Sequence, residues 1–250
     1  MGGILTHSGT VAAGAGEGLL LINKSQGLTS HDVVLLARRR LGIARIGHAG
    51  TLDPMAEGLL LLLVGAATKQ QACLQTHRKR YEAVIRLGTQ TETGDAWGRP
   101  VRTAAIPVLE RTRVEAALTS LVGPLTQAPP KFSAVKVRGR PLYWWARRGT
   151  PMVAPSRTVT IFQAELLDWT PEQFRCRVDC SSGTYVRSLA ESVAEQLGTV
   201  GHVSKLIRLA VGPWDLAHSH DVQWLATASR EHLLATLRPM TAGHARIDRT

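Results

Sequence analysis

The distribution of apolar residues sets the expected organisation of the chain. Residues 59–64 are apolar at every position and are closed by Gly65, which fits a buried strand or a packed helical turn. Residues 18–23 read as a strand. Tyr81, Ala83, Ile85 and Leu87 alternate with Glu82, Val84 and Arg86, as in a strand with one mostly buried face. Residues 158–166 and 174–180 read as two further strands that are candidates to pair with each other, and 206–211 as another. Helical spacing falls at 30–40, 112–121, 141–148, 188–197 and 222–237. Thr29 or Ser30 is a plausible N-cap for the first helix, with Val33, Val34, Leu36 and Ala37 inward and Arg38, Arg39 and Arg40 at its C-terminal end. Residues 124–130 carry three prolines and are expected to break regular structure, and 131–138 to be extended. Helices and strands mix without a βαβ rhythm. The expectation is an α+β fold, with a mixed, largely antiparallel sheet decorated with helices and loops.

Composition narrows the classes. The chain has 250 residues, 44% of them hydrophobic and 20% charged, which excludes disordered and collagen-like classes. No apolar run reaches membrane-spanning length, and the N-terminus lacks the basic-then-apolar pattern of a signal peptide. Three cysteines, Cys73, Cys176 and Cys180, make no disulfide framework. Cys176 and Cys180 share a strand face, but two thiols alone make a poor zinc site. These features predict a soluble protein of a reducing compartment, the cytoplasm.

Charge points toward a polyanion. Thirty Lys and Arg outweigh nineteen Asp and Glu, a net charge of +11. No acidic residue occurs between Glu115 and Glu165, a stretch that holds Lys131, Lys136, Arg138, Arg140, Arg147, Arg148 and Arg157. Phe132, Tyr143, Trp144 and Trp145 are interleaved with them. Cations beside flat rings suit looped RNA, through phosphate neutralisation and stacking. An Arg-rich surface helix with its aromatics turned inward fits the same window.

Several familiar sites are missing. The sequence has no P-loop, no HExxH and no Gly-x-Ser-x-Gly elbow. The glycines at 14, 16 and 18 precede a strand, so they form no dinucleotide loop. His218, His220 and Asp221 are better read as solvated than as metal ligands. The stretch Gly47-His48-Ala49-Gly50-Thr51-Leu52-Asp53-Pro54 differs. Its glycines allow close backbone approach, and Pro54 holds Asp53 out of helical geometry. The apolar segment that follows can fix the loop, so that one carboxylate is presented from a rigid turn. Lys79, Arg80 and Tyr81 open a strand, and Gly183, Thr184, Tyr185, Val186 and Arg187 turn from a strand into a helix. An arginine within reach of a buried Asp53 would hold it ionised and oriented.

Five motifs in one order resemble the TruB-type tRNA pseudouridine-55 synthases over roughly residues 18–214. They are Lys24 to Ser30 with Arg45 to Pro54, then Lys79 to Gly88, Thr91 to Gly98, Gln127 to Lys136 with Gly139, Leu142 and Tyr143, and Cys180 to Leu189. The resemblance implies a pseudouridine-synthase-like fold with a thumb-like insertion near 124–152. It also implies isomerisation of uridine to pseudouridine in the T-loop of tRNA, with no cofactor, no metal and no membrane, guide RNA or obligate protein partner. By the same resemblance Asp53 is the catalytic aspartate, Tyr81 stacks on the target base and takes part in proton transfer, and Arg187 pairs with Asp53. His48 occupies the space vacated by the flipped base, and Tyr185, Leu206 and Lys24 contact the substrate. The thumb cations Lys131, Lys136, Arg138, Arg140, Arg147 and Arg148 are expected to grip RNA. A non-catalytic tRNA chaperone on the same fold, or a synthase for another RNA, shares most of these features.

The sequence departs from the family pattern in places. Ser25 stands where proline is usual, Ser192 where Asp is usual, Ala194 where Gly is usual, and Ile207 and Leu209 where Arg and Thr are usual. Residues 1–215 are expected to form the catalytic domain and 216–250 a short extension without a complete PUA domain. RNA binding would then rest mainly on the catalytic domain.

Overall fold

The structure is a computed structural model, and it describes residues 16–240. In chain order its strands and helices are β1 (Gly18–Lys24), α1 (Ser30–Leu41), β2 (Ile46–His48), β3 (Glu57–Val64), α2 (Gln71–Thr76), β4 (Lys79–Leu87), β5 (Thr89–Thr91) and β6 (Pro100–Thr103). Then follow α3 (Arg111–Thr119), β7 (Gly123–Gln127), β8 (Lys136–Val137), β9 (Arg140–Pro141), α4 (Leu142–Arg147), β10 (Arg157–Thr170), β11 (Gln173–Cys180) and α5 (Val186–Gln196). The last are β12 (Gly201–Val211), β13 (Trp214–Asp215), β14 (His220–Asp221), α6 (Val222–Thr227) and α7 (Arg230–Ala235).

One ten-stranded sheet organises the molecule, in the order β14-β1-β3-β12-β4-β11-β10-β7, with β2 on β3 and β13 on β12. Only β1–β14 and β3–β12 run parallel, so the sheet is mixed and largely antiparallel, as expected. Hairpins β5–β6 and β8–β9 stand off it.

The apolar run in β3 has a physical reason. Leu60, Leu62 and Val64 enter one core cluster, while Leu59, Leu61 and Leu63 enter a second on the other face. Both faces are covered, so no polar position is needed. Where β12 crosses β3, Gly58 has a φ of +104°, and a Cβ there would collide with the Arg208 backbone. Glycine therefore allows the close contact that brings β12 to the sheet centre.

Three local expectations are corrected. Residues 123–127 form strand β7 despite Pro124, because β7 is the sheet edge and proline can occupy an edge strand. Residues 131–138 are extended only at Lys136–Val137. The preceding turns fold back onto α4, whose Leu142 and Tyr143 amides donate to the carbonyls of Val135 and Ser133. The single helix expected over 222–237 is two. Ser229 is extended and its hydroxyl caps α7 at the His232 amide, which ends α6. The helix pattern over 30–40 holds, with Thr29 forming a capping box with Asp32 and Leu36 only half-buried.

Residues 216–240 belong to the same unit. β14 pairs with β1, and Leu225 and Leu233 are fully buried in the main core. His220 stacks on Trp224 and Asp221 caps α6, so these polar residues build a helix start. Of the glycines at 14, 16 and 18, the first lies outside the described residues, as do the N-terminal stretch read for a signal peptide and positions 241–250 of the extension. Among the described residues no helix is long and apolar enough to cross a membrane.

Candidate active site

Asp53 sits on a turn tied down from several sides. The Ala49 amide donates to Leu61 of β3, and the Ala56 amide closes onto the Asp53 carbonyl. Ser30, buried at the start of α1, binds Leu52 twice: its hydroxyl accepts from the Leu52 amide at 2.8 Å and donates to the Leu52 carbonyl at 3.1 Å. The Gly27 amide holds the Pro54 carbonyl. The turn is thereby fixed to α1, β3 and the segment after β1.

The Asp53 carboxylate meets Arg187 Nε at 2.9 Å. Arg187 lies in the first turn of α5 and is 3% exposed. Its other nitrogens donate to the Thr93 carbonyl at 2.7 Å and the Phe132 carbonyl at 3.0 Å, and Asp95 lies 3.9 Å away. Asp95 is itself held by Thr93 Oγ1 and the Trp97 amide. The Asp53 side chain keeps about a third of its surface open, 34%, at a cavity of about 660 Å³. Burial pushes its carboxyl above the usual aspartate range, the Arg187 charge opposes that only in part, and Asp95 adds to the rise.

The cavity is also lined by Tyr81, Tyr185, Leu206, Arg208 and Lys79. Tyr81, on β4, is buried, and burial pushes its phenol upward against the opposing charge of Arg208. Its neighbours on the strand diverge. Lys79 turns to the cavity side, donates to the carbonyls of Gln75 and His77, and is drawn down to about 8 by burial. Arg80 turns away and pairs with Asp179 at 2.8 Å. Tyr185 is fixed by Gln127, whose Oε1 accepts from its amide and whose Nε2 donates to its carbonyl.

The structure thus brings Asp53, Tyr81, Arg187, Tyr185 and Leu206 to one cavity. Lys24 and His48 are not among its lining residues. The Lys24 side chain is fully buried and donates to the Leu28 carbonyl at 2.8 Å and the Ser25 carbonyl at 3.1 Å. Burial draws it down to about 8, with Asp53 and Glu57 acting against that. His48 ends β2 half-buried; burial and then Arg208 lower its imidazole.

The thumb cations stand apart from the cavity. Lys131, Lys136, Arg138, Arg140, Arg147 and Arg148 are all exposed. Arg138, at the tip between β8 and β9, has a φ of +50°. Arg148 lies 4.0 Å over the Trp144 ring, Arg140 5.3 Å from it, and Arg147 5.6 Å from Tyr143, which is 41% exposed. Trp145 turns inward and donates to the Val137 carbonyl. The window therefore has an outer face of cations on rings and an inner packing face.

Sequence reasoning missed the role of Arg208. It is 1% exposed and donates to the carbonyls of Leu59 and Gly50 at 2.7 and 3.1 Å, clamping the Asp53 loop to β12. It is also the register partner of Tyr81 across β4–β12. A signal existed: Leu206 and Arg208 are two apart on a strand, so they share a face. Cys176 and Cys180 are buried on β11, and burial pushes both thiols up to about 12.

The model of the TruB family pseudouridylate synthase N-terminal domain matches residues 38–186. The chain is 43% identical over 230 residues to tRNA pseudouridine synthase B of Aromatoleum aromaticum, covering 91% of this chain and 74% of that protein. It is 45% identical over 208 residues to tRNA pseudouridine synthase B of Geobacillus thermodenitrificans, covering 80% and 69%. Among solved structures it is similar to a chain of a Cbf5-Nop10-Gar1 complex, with a TM-score of 0.68 and 25% identity; it covers 91% of this chain but spans only 61% of that one. With a family model over more than half its length and relatives above 40% identity, this chain belongs to the TruB family of pseudouridylate synthases.

Proposed function

We propose that this protein isomerises uridine to pseudouridine at position 55, in the T-loop of tRNA. The observation that carries the reading is the Asp53 carboxylate, held at 2.9 Å by Arg187 and open to a cavity walled by Tyr81 and Leu206. Its relatives named tRNA pseudouridine synthase B support tRNA as the substrate.

The chemistry requires those groups. The C1′–N1 bond breaks, the uracil turns while detached, C5 bonds to C1′ and gives up its proton, and N1 takes up a proton, so the product is an isomer of the substrate. A carboxylate serves as nucleophile at the sugar or as base on it. The cavity volume of about 660 Å³ suits a flipped nucleotide, since a base within a folded loop must leave its stack to be reached. Tyr81 and Leu206 offer a flat, apolar slot in which the free base can turn. Arg187 favours the ionised carboxylate against burial. The exposed thumb cations and their rings supply phosphate neutralisation and stacking on the tRNA. No guide RNA, membrane or obligate protein partner enters this scheme, and a cytoplasmic location fits it.

Incubation of the purified protein with unmodified tRNA, followed by pseudouridine mapping, tests the reading. Pseudouridine at position 55 with wild type and none with Asp53→Asn is the expected result. Equal product from both would overturn it, and tRNA binding without any product from wild type would favour a chaperone.

A further inference from the structure

Among the described residues four cations line the cavity, and three are committed to the protein. Arg187 is taken by Asp53 and two carbonyls, Arg208 by the Leu59 and Gly50 carbonyls, and Lys79 by those of Gln75 and His77. The fourth, Arg157, opens β10 and is half-buried. Among the described residues it has no carboxylate partner. Its Nε is shielded from solvent and lacks a hydrogen-bond partner among them.

Arg157 is nevertheless held in a built position. Its Nη2 donates to the Gly183 carbonyl at 2.5 Å, and its guanidinium lies 4.8 Å over the Tyr185 ring. Gly183 has a φ of +83°, and a Cβ there would come within 3.0 Å of Arg157 Cζ. Glycine therefore serves twice, in the turn and in leaving room for the guanidinium. Nε is shielded, but Nη1 carries no hydrogen bond among the described residues and Nη2 keeps a second N–H, so the terminal nitrogens offer a fork to an oxyanion, and a phosphate matches its geometry.

We propose that Arg157 binds a phosphate flanking the uridine whose base enters the cavity. This rests on the reading of the cavity as a uridine site. A nucleotide whose base enters the cavity brings its flanking phosphates against the residues that line it, half-buried Arg157 among them. The thumb cations are exposed and act on the RNA at large. Arg157 instead fixes one phosphate at the reacting nucleotide, and so acts on the reaction rate more than on overall tRNA affinity.

A double cycle tests this. Stem-loop RNAs of the T arm carry a neutral methylphosphonate 5′ or 3′ of the target uridine. Single-turnover pseudouridine formation is then followed with wild type, Arg157→Gln and Arg157→Lys. One of the two methylphosphonates is expected to slow wild type about tenfold, and Arg157→Gln to slow the all-phosphate RNA by a similar factor. The two changes together should cost little more than either alone, while Arg157→Lys keeps part of the methylphosphonate effect. Multiplying losses in the combined case would overturn the proposal and mark Arg157 as a support for Tyr185. An Arg157→Gln rate equal to wild type would also overturn it. Failure of the underlying reading appears separately, as wild type making no pseudouridine on unmodified RNA.

Discussion

Arg187 holds Asp53 through Nε at 2.9 Å, and both of its terminal nitrogens are occupied, by the Thr93 and Phe132 carbonyls. One guanidinium therefore ties the Asp53 turn to the loop after β5 and to the base of the thumb. The carboxylate position depends on three segments far apart in sequence.

That dependence predicts a sharp response to Arg187→Lys. An ammonium keeps the charge but cannot reproduce the fork that spans three acceptors. The single-turnover rate should fall about 100-fold from misplacement of the carboxylate, with tRNA binding changed by only a few-fold. Rapid-quench kinetics beside a filter-binding measurement check this. A rate within a few-fold of wild type would show that charge alone suffices.

The raised Asp53 carboxyl predicts the direction of the pH profile. A carboxylate with a folded-state pKa above the ordinary range is lost at a higher pH as the solution is acidified. If the ionised form is the working one, the rate falls through that raised value, not near the usual aspartate range. Arg187→Gln removes the main opposing charge, so its acid limb should move to still higher pH. Single-turnover rates across the acid range measure both limbs, and a limb that moves to lower pH contradicts the electrostatic account.

The thumb face predicts an ionic effect. Arg147 and Arg148 are exposed and lie over Tyr143 and Trp144. Arg147→Ala with Arg148→Ala should weaken tRNA binding and reduce the slope of log affinity against log salt by about 1 to 2, close to one per lost phosphate contact. Binding isotherms at several salt concentrations give the slope, and an unchanged slope removes these residues from the RNA-binding surface.

Ser30 offers a structural test, because it supports the Asp53 turn without lining the cavity. Its hydroxyl is bonded to both the amide and the carbonyl of Leu52, next to Asp53. Ser30→Ala leaves both groups without this partner inside the protein, at a cost of about 1–3 kcal/mol. Urea unfolding measures that loss, and the rate should fall with it because the turn loosens.

Much of this was legible in the residues themselves. Asp53 ahead of Pro54, the alternation around Tyr81 and the glycine turn before Arg187 all mark local geometry, and local geometry is what sequence spacing encodes. The contacts that join them are not local. Asp95 lies inside a visible motif, yet its place near Arg187 follows from how the loop after β5 packs against α5. Arg208 has the right strand spacing, but its role depends on the crossing of β12 over β3 at Gly58. Pro124 reads as a breaker until β7 is known to be an edge strand, and periodicity over 222–237 passes across Ser229, whose side chain begins a new helix. Lys24 carries a charge that spacing cannot place; the fold buries it against the Ser25 and Leu28 carbonyls, apart from the cavity.

The proposed reaction rests on the Asp53 carboxylate, in the cavity it shares with Tyr81 and Leu206. Parallel measurement of pseudouridine formation and tRNA binding for wild type and Asp53→Asn separates catalysis from binding. The variant is expected to bind tRNA within a few-fold of wild type and to form no pseudouridine. Product formation by Asp53→Asn at the wild-type rate would contradict it.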